Sequence, residues 1–269
     1  MYKLADSHIH LFDGGFEKSG VDEVAQYERL IEEHSIKAAL VVGYEGQDWA
    51  RGNNEFIATL ARSRNWIHPV AFLLPTQLSI SHLQSLANER YVGISLYLFS
   101  DEDVANVAKA PSEVWQWLVE HRWLISVNSK GHFWRVWEQV LKENPQLRLL
   151  MSHIGLPQIS SSDSPADEIA AELAPQVLLH QFPYVYLKLS GFYALEPTSP
   201  TFPYPKTYPY INYLLERCDT KRLVWGSDFT PALGKVSFAE TFTHLSQWIS
   251  DEQLRSRLLR DNLIELLNK

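Results

Sequence analysis

Two histidines near the start of the chain, His8 and His10, have the residue type and the spacing that acid–base or metal chemistry uses. If residues 1–13 form a strand, alternation places Asp6, His8 and His10 on one face. Two imidazoles two residues apart on an extended backbone can converge on one small target, such as a metal ion or a substrate oxygen. The same pair also fits an ordinary surface strand, so the rest of the chain has to decide between the two interpretations.

The elements that would position these histidines follow one rhythm, in which short apolar runs alternate with stretches of helical spacing. After the first strand, the predicted strands are 38–43, 66–74, 91–98, 123–128, 147–153, 185–190 and 222–228. The predicted helices are 21–35, 50–63, 80–89, 111–121, 132–143, 166–181, 208–217, 237–249 and 251–267. Eight strands, each followed by helix, predict an α/β protein with one domain over residues 1–269, folded as a single (β/α)8 TIM barrel.

Three features depart from this rhythm. Pro175 is expected to kink or split the helix over 166–181. Residues 191–210 contain five prolines and four tyrosines, so neither helix nor central strand is expected there, and a loop of this length is typical of a lid or a binding loop. Residues 160–165 (Ser-Ser-Ser-Asp-Ser-Pro) predict a second, flexible connection.

A parallel barrel brings the carboxyl ends of its strands to one mouth, where the active sites of this architecture lie. By this rule His153 and Asp228, which end the sixth and eighth strands, face the two histidines of the first. Polar side chains that would be costly in the middle of a core gather at this end, and alternation turns Lys188 of the seventh strand inward. The residues predicted to contact a substrate are Tyr44, Tyr97, Asn128, Lys130, His132, Lys188 and Ser190.

Composition and charge exclude several classes of protein. The chain is 45% hydrophobic with nine tryptophans, which suits a large core rather than disorder. The net charge is -8 and no run of Lys and Arg could track a phosphate backbone, so nucleic acid is not an expected partner. The chain has no apolar stretch of membrane-spanning length, and its first residues have a strand pattern instead of a signal peptide, which predicts a cytoplasmic protein that acts on a small molecule. The sequence allows a homo-oligomer.

Four short motifs, in chain order and at barrel spacing, carry a resemblance to a known family. They are residues 6–10 (Asp-Ser-His-Ile-His), 152–155 (Ser-His-Ile-Gly), 187–191 (Leu-Lys-Leu-Ser-Gly) and 225–228 (Trp-Gly-Ser-Asp). Together they resemble the markers of the amidohydrolase superfamily. They are most similar to its amidohydrolase-related TIM-barrel hydrolases, which include 2-pyrone-4,6-dicarboxylate lactonase and sugar-acid lactonases such as L-fuconolactonase. The resemblance runs from the first strand to the last.

The resemblance implies a role for each residue at the mouth. His8 and His10 would hold a divalent metal, or would polarise a carbonyl by hydrogen bonding in a metal-free variant. Asp228 would orient and deprotonate the attacking water, and His153 would bind the carbonyl oxygen or shuttle the proton. This sequence departs from the family at Asn128, because metal-dependent members usually have a further histidine there.

The metal therefore stays open at this point. Zinc in a catalytic site prefers three protein ligands and a water, which His8, His10 and Asp228 could supply with His153 as a fourth. Each missing ligand lowers the affinity, so a zinc site and a metal-free site are both compatible with the sequence. No carboxylate or lysine occupies an inward position of the fourth strand, so a binuclear site is not expected.

The leading hypothesis from the sequence is a hydrolase, specifically a lactonase of the carboxylic ester hydrolase type. It would open a small carboxylated or sugar-derived lactone by the attack of water. One alternative is a metal-dependent decarboxylase of the same superfamily, and another is a non-catalytic barrel that binds a sugar acid. Specificity would reside in the loop over 191–210 and in the predicted contact residues.

Overall fold

A computed structural model of the protein describes residues 3–159, 164–196 and 202–268. In this part of the chain, eight parallel strands pair in sequence order, from β1 with β2 to β7 with β8. They are β1 (Leu4–Ile9), β2 (Ile36–Val42), β3 (Ile67–Phe72), β4 (Gly93–Leu98), β5 (Leu124–Ser129), β6 (Arg148–Met151), β7 (Val185–Leu189) and β8 (Leu223–Trp225). Helices alternate with the strands, so the predicted single (β/α)8 barrel is confirmed.

The α-helices of the described residues surround this barrel. They are α1 (Glu23–His34), α2 (Asn53–Ala61), α3 (Ile80–Ala87), α4 (Asp101–Lys109), α5 (Ser112–Glu120), α6 (Val136–Glu143), α7 (Ala166–His180), α8 (Phe192–Leu195), α9 (Tyr208–Arg217), α10 (Glu240–Trp248), α11 (Glu252–Ser256) and α12 (Asn262–Asn268). A π-helical segment, Arg257–Asp261, joins α11 to α12. None of these helices is both long and apolar enough to cross a membrane.

Three details of the predicted helices were wrong. Pro175 lies inside α7 and does not split it, since the helix continues from Ala166 to His180, and the kink expected there stays a prediction. Helix α4 was not predicted, although Ser100 and Asp103 form the capping box that begins it. One helical turn, α8, lies in the segment predicted to be non-helical, because it ends before the first proline of that segment. The predictions for residues 160–163 and 197–201 lie outside the described residues.

The interior of the barrel has an apolar lower part. Inward-facing side chains of seven strands form one buried cluster, and Leu263 and Leu266 of α12 close it from below. The members of this cluster from the strands are Ala5, Leu40, Val70, Leu124, Leu150, Tyr186 and Val224. Helix α12 thus covers the amino-terminal end of the barrel, which leaves the carboxyl-terminal mouth for polar residues.

The barrel closes between β1 and the segment that follows β8. The backbone N–H of Asp228 donates to the carbonyl of His8 at 2.9 Å, and Ile9 and Phe229 form a parallel bridge. The buried carboxylate of Asp6 joins the same two segments, because its Oδ1 accepts from the backbone N–H of Ser227 at 2.9 Å. Closure therefore places the ends of β1 and β8 side by side.

The alternation predicted that Asp6 shares a face with His8 and His10. This prediction is wrong. Oδ2 of Asp6 accepts from the hydroxyl of Tyr27 on α1 at 3.1 Å, so the carboxylate turns toward the helix layer. The physical reason is that the register of β1 on β2 shifts twice, between Leu4 and Asp6 and between Asp6 and Ile9. Burial raises the pKa of Asp6 to about 7, although four hydrogen bonds favour its charged form.

His244 on α10 gives this fold a predictable response to acid. Its Nδ1–H donates to the Glu240 carbonyl at 2.7 Å, and the rings of Phe192 and Trp248 pack against it. Burial lowers the pKa of His244 to about 4, below the unfolded value of 6.5. Between pH 6.5 and 4, His244 is therefore protonated in the unfolded chain and neutral in the folded one. Stability is lost as the pH falls through that range.

We expect the free energy of unfolding to fall between pH 7 and pH 4.5, with His244 contributing about 2 kcal/mol of the loss. The variant His244→Phe keeps the aromatic packing and removes the titrating ring, so its loss between the two pH values should be smaller by that amount. Urea unfolding at both pH values measures the difference. Leu178→Phe is the control, because Leu178 is exposed and has no ionisable group, so the pH dependence should stay unchanged. If the free energy of unfolding falls equally in wild type and His244→Phe between pH 7 and pH 4.5, His244 is not the group responsible.

Candidate active site

Four side chains from three separate parts of the chain meet at the mouth of the barrel. Nε2 of His8 lies 3.2 Å from Nε2 of His10, and Oδ1 of Asp228 lies 3.6 Å and 3.8 Å from these two nitrogens. His153 lies on the other side of the carboxylate, with Nε2 4.0 Å from Oδ2 of Asp228. Each of the four residues is at most 6% exposed. The predicted convergence of these residues is therefore seen in the geometry.

Local backbone geometry aims two of these side chains across the mouth. His153 and Asp228 have φ values of 54° and 58°, in the left-handed region that residues other than glycine rarely adopt. His153 lies two residues after the end of β6 and Asp228 three residues after the end of β8, where such a turn redirects the chain. Gly191 makes room for His153, because a Cβ at Gly191 would lie 2.2 Å from Nδ1 of His153.

His10 has its tautomer fixed by the backbone. Its Nδ1 lies 2.7 Å from the carbonyl oxygen of Val42, and a carbonyl can only accept. Nδ1 therefore carries the ring proton, and Nε2 presents a lone pair toward His8 and Asp228. This is the arrangement in which a neutral histidine can bind a metal ion or accept a hydrogen bond.

Lys188 lies behind His8, fully buried in the barrel. Its Nζ is 3.1 Å from Nδ1 of His8 and donates to the hydroxyl of Ser126 at 2.7 Å. A protonated Lys188 donates to Nδ1, so Nε2 of His8 then keeps the ring proton and donates it to His10. Burial lowers the pKa of Lys188 to about 7, against the opposite pull of Asp228.

Tyr193 and Ser190 orient the two groups nearest the open pocket. The hydroxyl of Tyr193 donates to Oδ2 of Asp228 at 2.7 Å. The hydroxyl of Ser190 lies 3.0 Å from Nδ1 of His153, and it also accepts from the backbone N–H of His153. Because a hydroxyl both donates and accepts, Ser190 can hold either tautomer of His153.

Burial lowers the pKa values of His8, His10 and His153 below their usual range. The neighbouring Asp228 pulls the pKa of His10 and His153 back upward, while Lys188 pushes all three further down. All three rings are therefore neutral at physiological pH. Neutral imidazoles beside one carboxylate place no like charge against a bound cation.

The donor atoms fit a single divalent metal ion. Nε2 of His8, Nε2 of His10 and Oδ1 of Asp228 form a triangle with sides of 3.2, 3.6 and 3.8 Å. Two neighbouring ligands of a tetrahedral zinc lie about 3.4 Å apart, given bonds of about 2.1 Å. His8, His153 and Asp228 also have ligand atoms within 4.8 Å of one another. The cost of binding is that a cation must displace the proton on Nε2 of His8, close to Lys188.

Three of the seven predicted contact residues line one open pocket of about 540 Å³ above these groups. Those that line it with His10, His153 and Asp228 are Tyr44, Tyr97 and Asn128. Burial raises the pKa of Tyr97, so its hydroxyl stays protonated, and the Asn128 side chain hydrogen-bonds it. The pocket thus has Asp228 and the histidines His10 and His153 at its floor.

The remaining predicted contact residues lie elsewhere. Lys188 and Ser190 are buried beneath the floor, where they contact His8 and His153 and do not line the pocket. Lys130 and His132 are exposed and line a neighbouring cavity of about 740 Å³. The two cavities share three wall residues, Phe99, Leu156 and Ala194.

Sequence reasoning missed three residues at this site. Tyr193 falls in the proline-rich segment, and nothing in its spacing indicated that its hydroxyl reaches Asp228. Ser126 is an inward residue of β5 whose partner, Lys188, comes from two strands away. Trp49 lies after β2 and lines the pocket, but nothing in the sequence of residues 48–50 indicated that its side chain does so. The inward period of β5 could have indicated Ser126, but the other two depend on how the loops fold.

Comparison with known proteins agrees with the fold and shows the family. The family model described as Amidohydrolase matches residues 5–269. Two structures of an amidohydrolase from Burkholderia multivorans, one with bound HEPES and one with bound zinc, match with a TM-score of 0.82 and 17% identity over 99% of both chains. A search of curated proteins finds no match.

Two further structures are similar. A probable 2-pyrone-4,6-dicarboxylic acid hydrolase from Acinetobacter baumannii, with citric acid bound, has a TM-score of 0.76 and 16% identity over 99% of this chain and 100% of its own. A putative 2-pyrone-4,6-dicarboxylic acid hydrolase from Pseudomonas putida has the same TM-score with 19% identity, over 100% of this chain and 98% of its own. The family match spans all eight strands and every residue of the floor, and the chain belongs to the amidohydrolase family of TIM-barrel hydrolases.

Proposed function

We propose that this protein is a lactonase, which opens a cyclic ester by the direct attack of water. The observation that supports this best is the buried Asp228 carboxylate, held among three neutral histidines at the floor of an open pocket. Such a floor offers a base for water and hydrogen-bond donors for a developing oxyanion, which is what ester hydrolysis requires. The two relatives named as 2-pyrone-4,6-dicarboxylic acid hydrolases support the same class of reaction.

In the first step, Asp228 takes a proton from water while the water oxygen bonds to the carbonyl carbon. The carbonyl electron pair moves to its oxygen, which becomes negative, and the N–H of His153 donates to it. The addition product then re-forms the carbonyl and breaks the bond to the ring oxygen. Asp228 returns the proton to that departing oxygen, so the product is a hydroxy acid and the carboxylate is regenerated.

Tyr193 and Ser190 act on this step through the groups they contact. The Tyr193 hydroxyl occupies Oδ2 of Asp228, which directs the free lone pairs of Oδ1 toward the histidines and the water. Ser190, by donating to Nδ1 of His153, keeps the proton on Nε2, where it faces the pocket. Both are positioning residues.

His8, His10 and Asp228, with His153 nearby, would hold a divalent metal, and zinc suits their nitrogen and oxygen donors. Zinc, when bound, supplies a Lewis acid that polarises the ester and makes water more acidic. The zinc-bound Burkholderia multivorans structure supports this assignment. Asn128 adds no imidazole to the set, so the affinity rests on the donors of β1 and Asp228.

Asp228→Asn removes the proposed base and keeps the shape of the side chain. We expect kcat for lactone hydrolysis to fall by about 10² to 10⁴-fold, with little change in the melting temperature. A panel of lactones followed by a pH indicator gives the rates, and Asp167→Asn on α7 is an exposed control that should keep full activity. Turnover that survives in Asp228→Asn would show that another group is the base. Release of carbon dioxide from carboxylated probes without ring opening would favour the decarboxylase.

Tyr193→Phe removes only the hydroxyl that contacts Asp228. We expect kcat to fall by about tenfold while KM changes little, because one charge-assisted hydrogen bond to the base is worth about 1.5 kcal/mol. Tyr184→Phe, at an exposed ring, is the control. An unchanged kcat in Tyr193→Phe, or a loss of kcat/KM carried by KM alone, would contradict the positioning role.

Zinc binding can be tested without measuring activity. Lys188→Met removes a buried cation 3.1 Å from Nδ1 of His8, so we expect the zinc dissociation constant to fall by at least tenfold. Competition with a chromophoric chelator measures the constant, and circular dichroism checks the fold. Lys142→Met, which breaks only an exposed ion pair with Glu138, should leave the constant unchanged. Equal affinity in Lys188→Met and wild type, or no zinc binding in either, would argue against the assigned ligand set.

A further inference from the structure

One wall of the pocket above Asp228 is built from aromatic rings in contact. Phe16 and Trp49 pack edge to face at 5.2 Å, and Trp49 lies 6.3 Å from Tyr44. Tyr44 is 5.2 Å from Tyr97, which in turn is 6.2 Å from Phe99. All five residues line the pocket. A continuous wall of this kind favours flat, apolar ligands, because ring faces gain both burial and stacking energy.

The charges of the same pocket are acidic. Among the described residues that line it, Glu17, Asp103 and Asp228 are carboxylates, and none is a lysine or an arginine. The sequence of the undescribed segments 160–163 and 197–201 contains neither lysine nor arginine. A carboxylate on the substrate would therefore meet the repulsion of Glu17 and Asp103 and would find no lysine or arginine among the described lining residues.

The nearest cations do not change this. Lys188 is buried beneath His8 and is already bonded to Ser126. Lys130 lies in the neighbouring cavity with His132, and both are exposed. Glu172 lines the same cavity, so that cavity also contains an acid. The net charge of -8 further disfavours the approach of anions to the mouth.

From the aromatic wall and the acidic charges together, we propose that the substrate is an uncharged lactone or ester with an aromatic ring. The carboxylated lactone expected from the sequence does not match the charges of this pocket. This inference rests on the proposed lactonase activity for its reaction, and on the pocket alone for its substrate class. The ring lies along the wall of Trp49 and Tyr44, and the ester carbonyl reaches Asp228 at the floor.

Four probes separate the substrate classes by rate. They are dihydrocoumarin, the same lactone with a carboxylate on its aromatic ring, δ-valerolactone without an aromatic ring, and D-glucono-1,5-lactone as a sugar lactone. We expect kcat/KM for dihydrocoumarin to exceed each of the other three by at least tenfold. A preference for the carboxylated or the sugar lactone would overturn the proposed class and leave the lactonase assignment standing.

A binding measurement that needs no turnover tests the proposed substrate class separately from the proposed lactonase reaction. Calorimetric titration of the full-length protein with coumarin and with coumarin-3-carboxylate should show at least tenfold tighter binding of the neutral ring. If no probe is hydrolysed above the Asp228→Asn background but coumarin still binds more tightly, the lactonase proposal fails and the neutral aromatic class is supported. Equal or tighter binding of the carboxylate would overturn the class.

Two substitutions test whether Glu17 and Trp49 cause these substrate preferences. Glu17→Lys should raise the ratio of kcat/KM for the carboxylated over the neutral dihydrocoumarin by about fivefold, because it replaces a repulsive charge by an attractive one. Glu32→Lys on α1 makes the same charge change at an exposed site away from the pocket and should leave the ratio unchanged. Trp49→Leu should lower the preference for dihydrocoumarin over δ-valerolactone by about fivefold. Unchanged ratios in both pocket variants would overturn the proposal.

Discussion

Closure of the sheet between β1 and β8 is the constraint on which the site depends. The two histidines lie at one end of the chain and Asp228 near the other, and only a closed barrel brings them within 4 Å. The hydrogen bond from the Asp228 backbone to the His8 carbonyl fixes their relative height at the seam. Asp6 strengthens the same seam by accepting from the Ser227 backbone and from Tyr27. The segment of β1 therefore supplies both histidines of the pair and the contacts that close the barrel.

Burial of charge shapes the floor of the site once the barrel is closed. Asp228 and Lys188 carry opposite charges on either side of His8, which reduces the cost of placing each of them in a nearly dry interior. The histidines between them remain neutral, because burial outweighs the attraction of the single carboxylate. The same floor can therefore hold a cation or work through hydrogen bonds, and Lys188 is the group that opposes the cation.

The floor and the walls of the pocket have different origins. The floor is made by strand ends, where the barrel fixes side chains rigidly, and its residues carry the resemblance to other amidohydrolases. The walls come from loops, where Trp49, Tyr44 and Tyr193 depend on local packing. A shared floor with a different wall is how one fold supports related reactions on unlike substrates.

The sequence alone determined the eight-strand rhythm, the barrel and the convergence of His8, His10, His153 and Asp228, because hydrophobic period and strand order are local properties that a barrel converts directly into position. It also placed Lys188 inside. Only the tertiary structure decided that Asp6 turns to Tyr27, since two register shifts in β1 break the alternation. The structure also showed that Lys188 contacts His8 and Ser126 and that Tyr193 donates to Asp228. Contacts between separate strands and loops depend on register and packing, which no single segment of the sequence encodes.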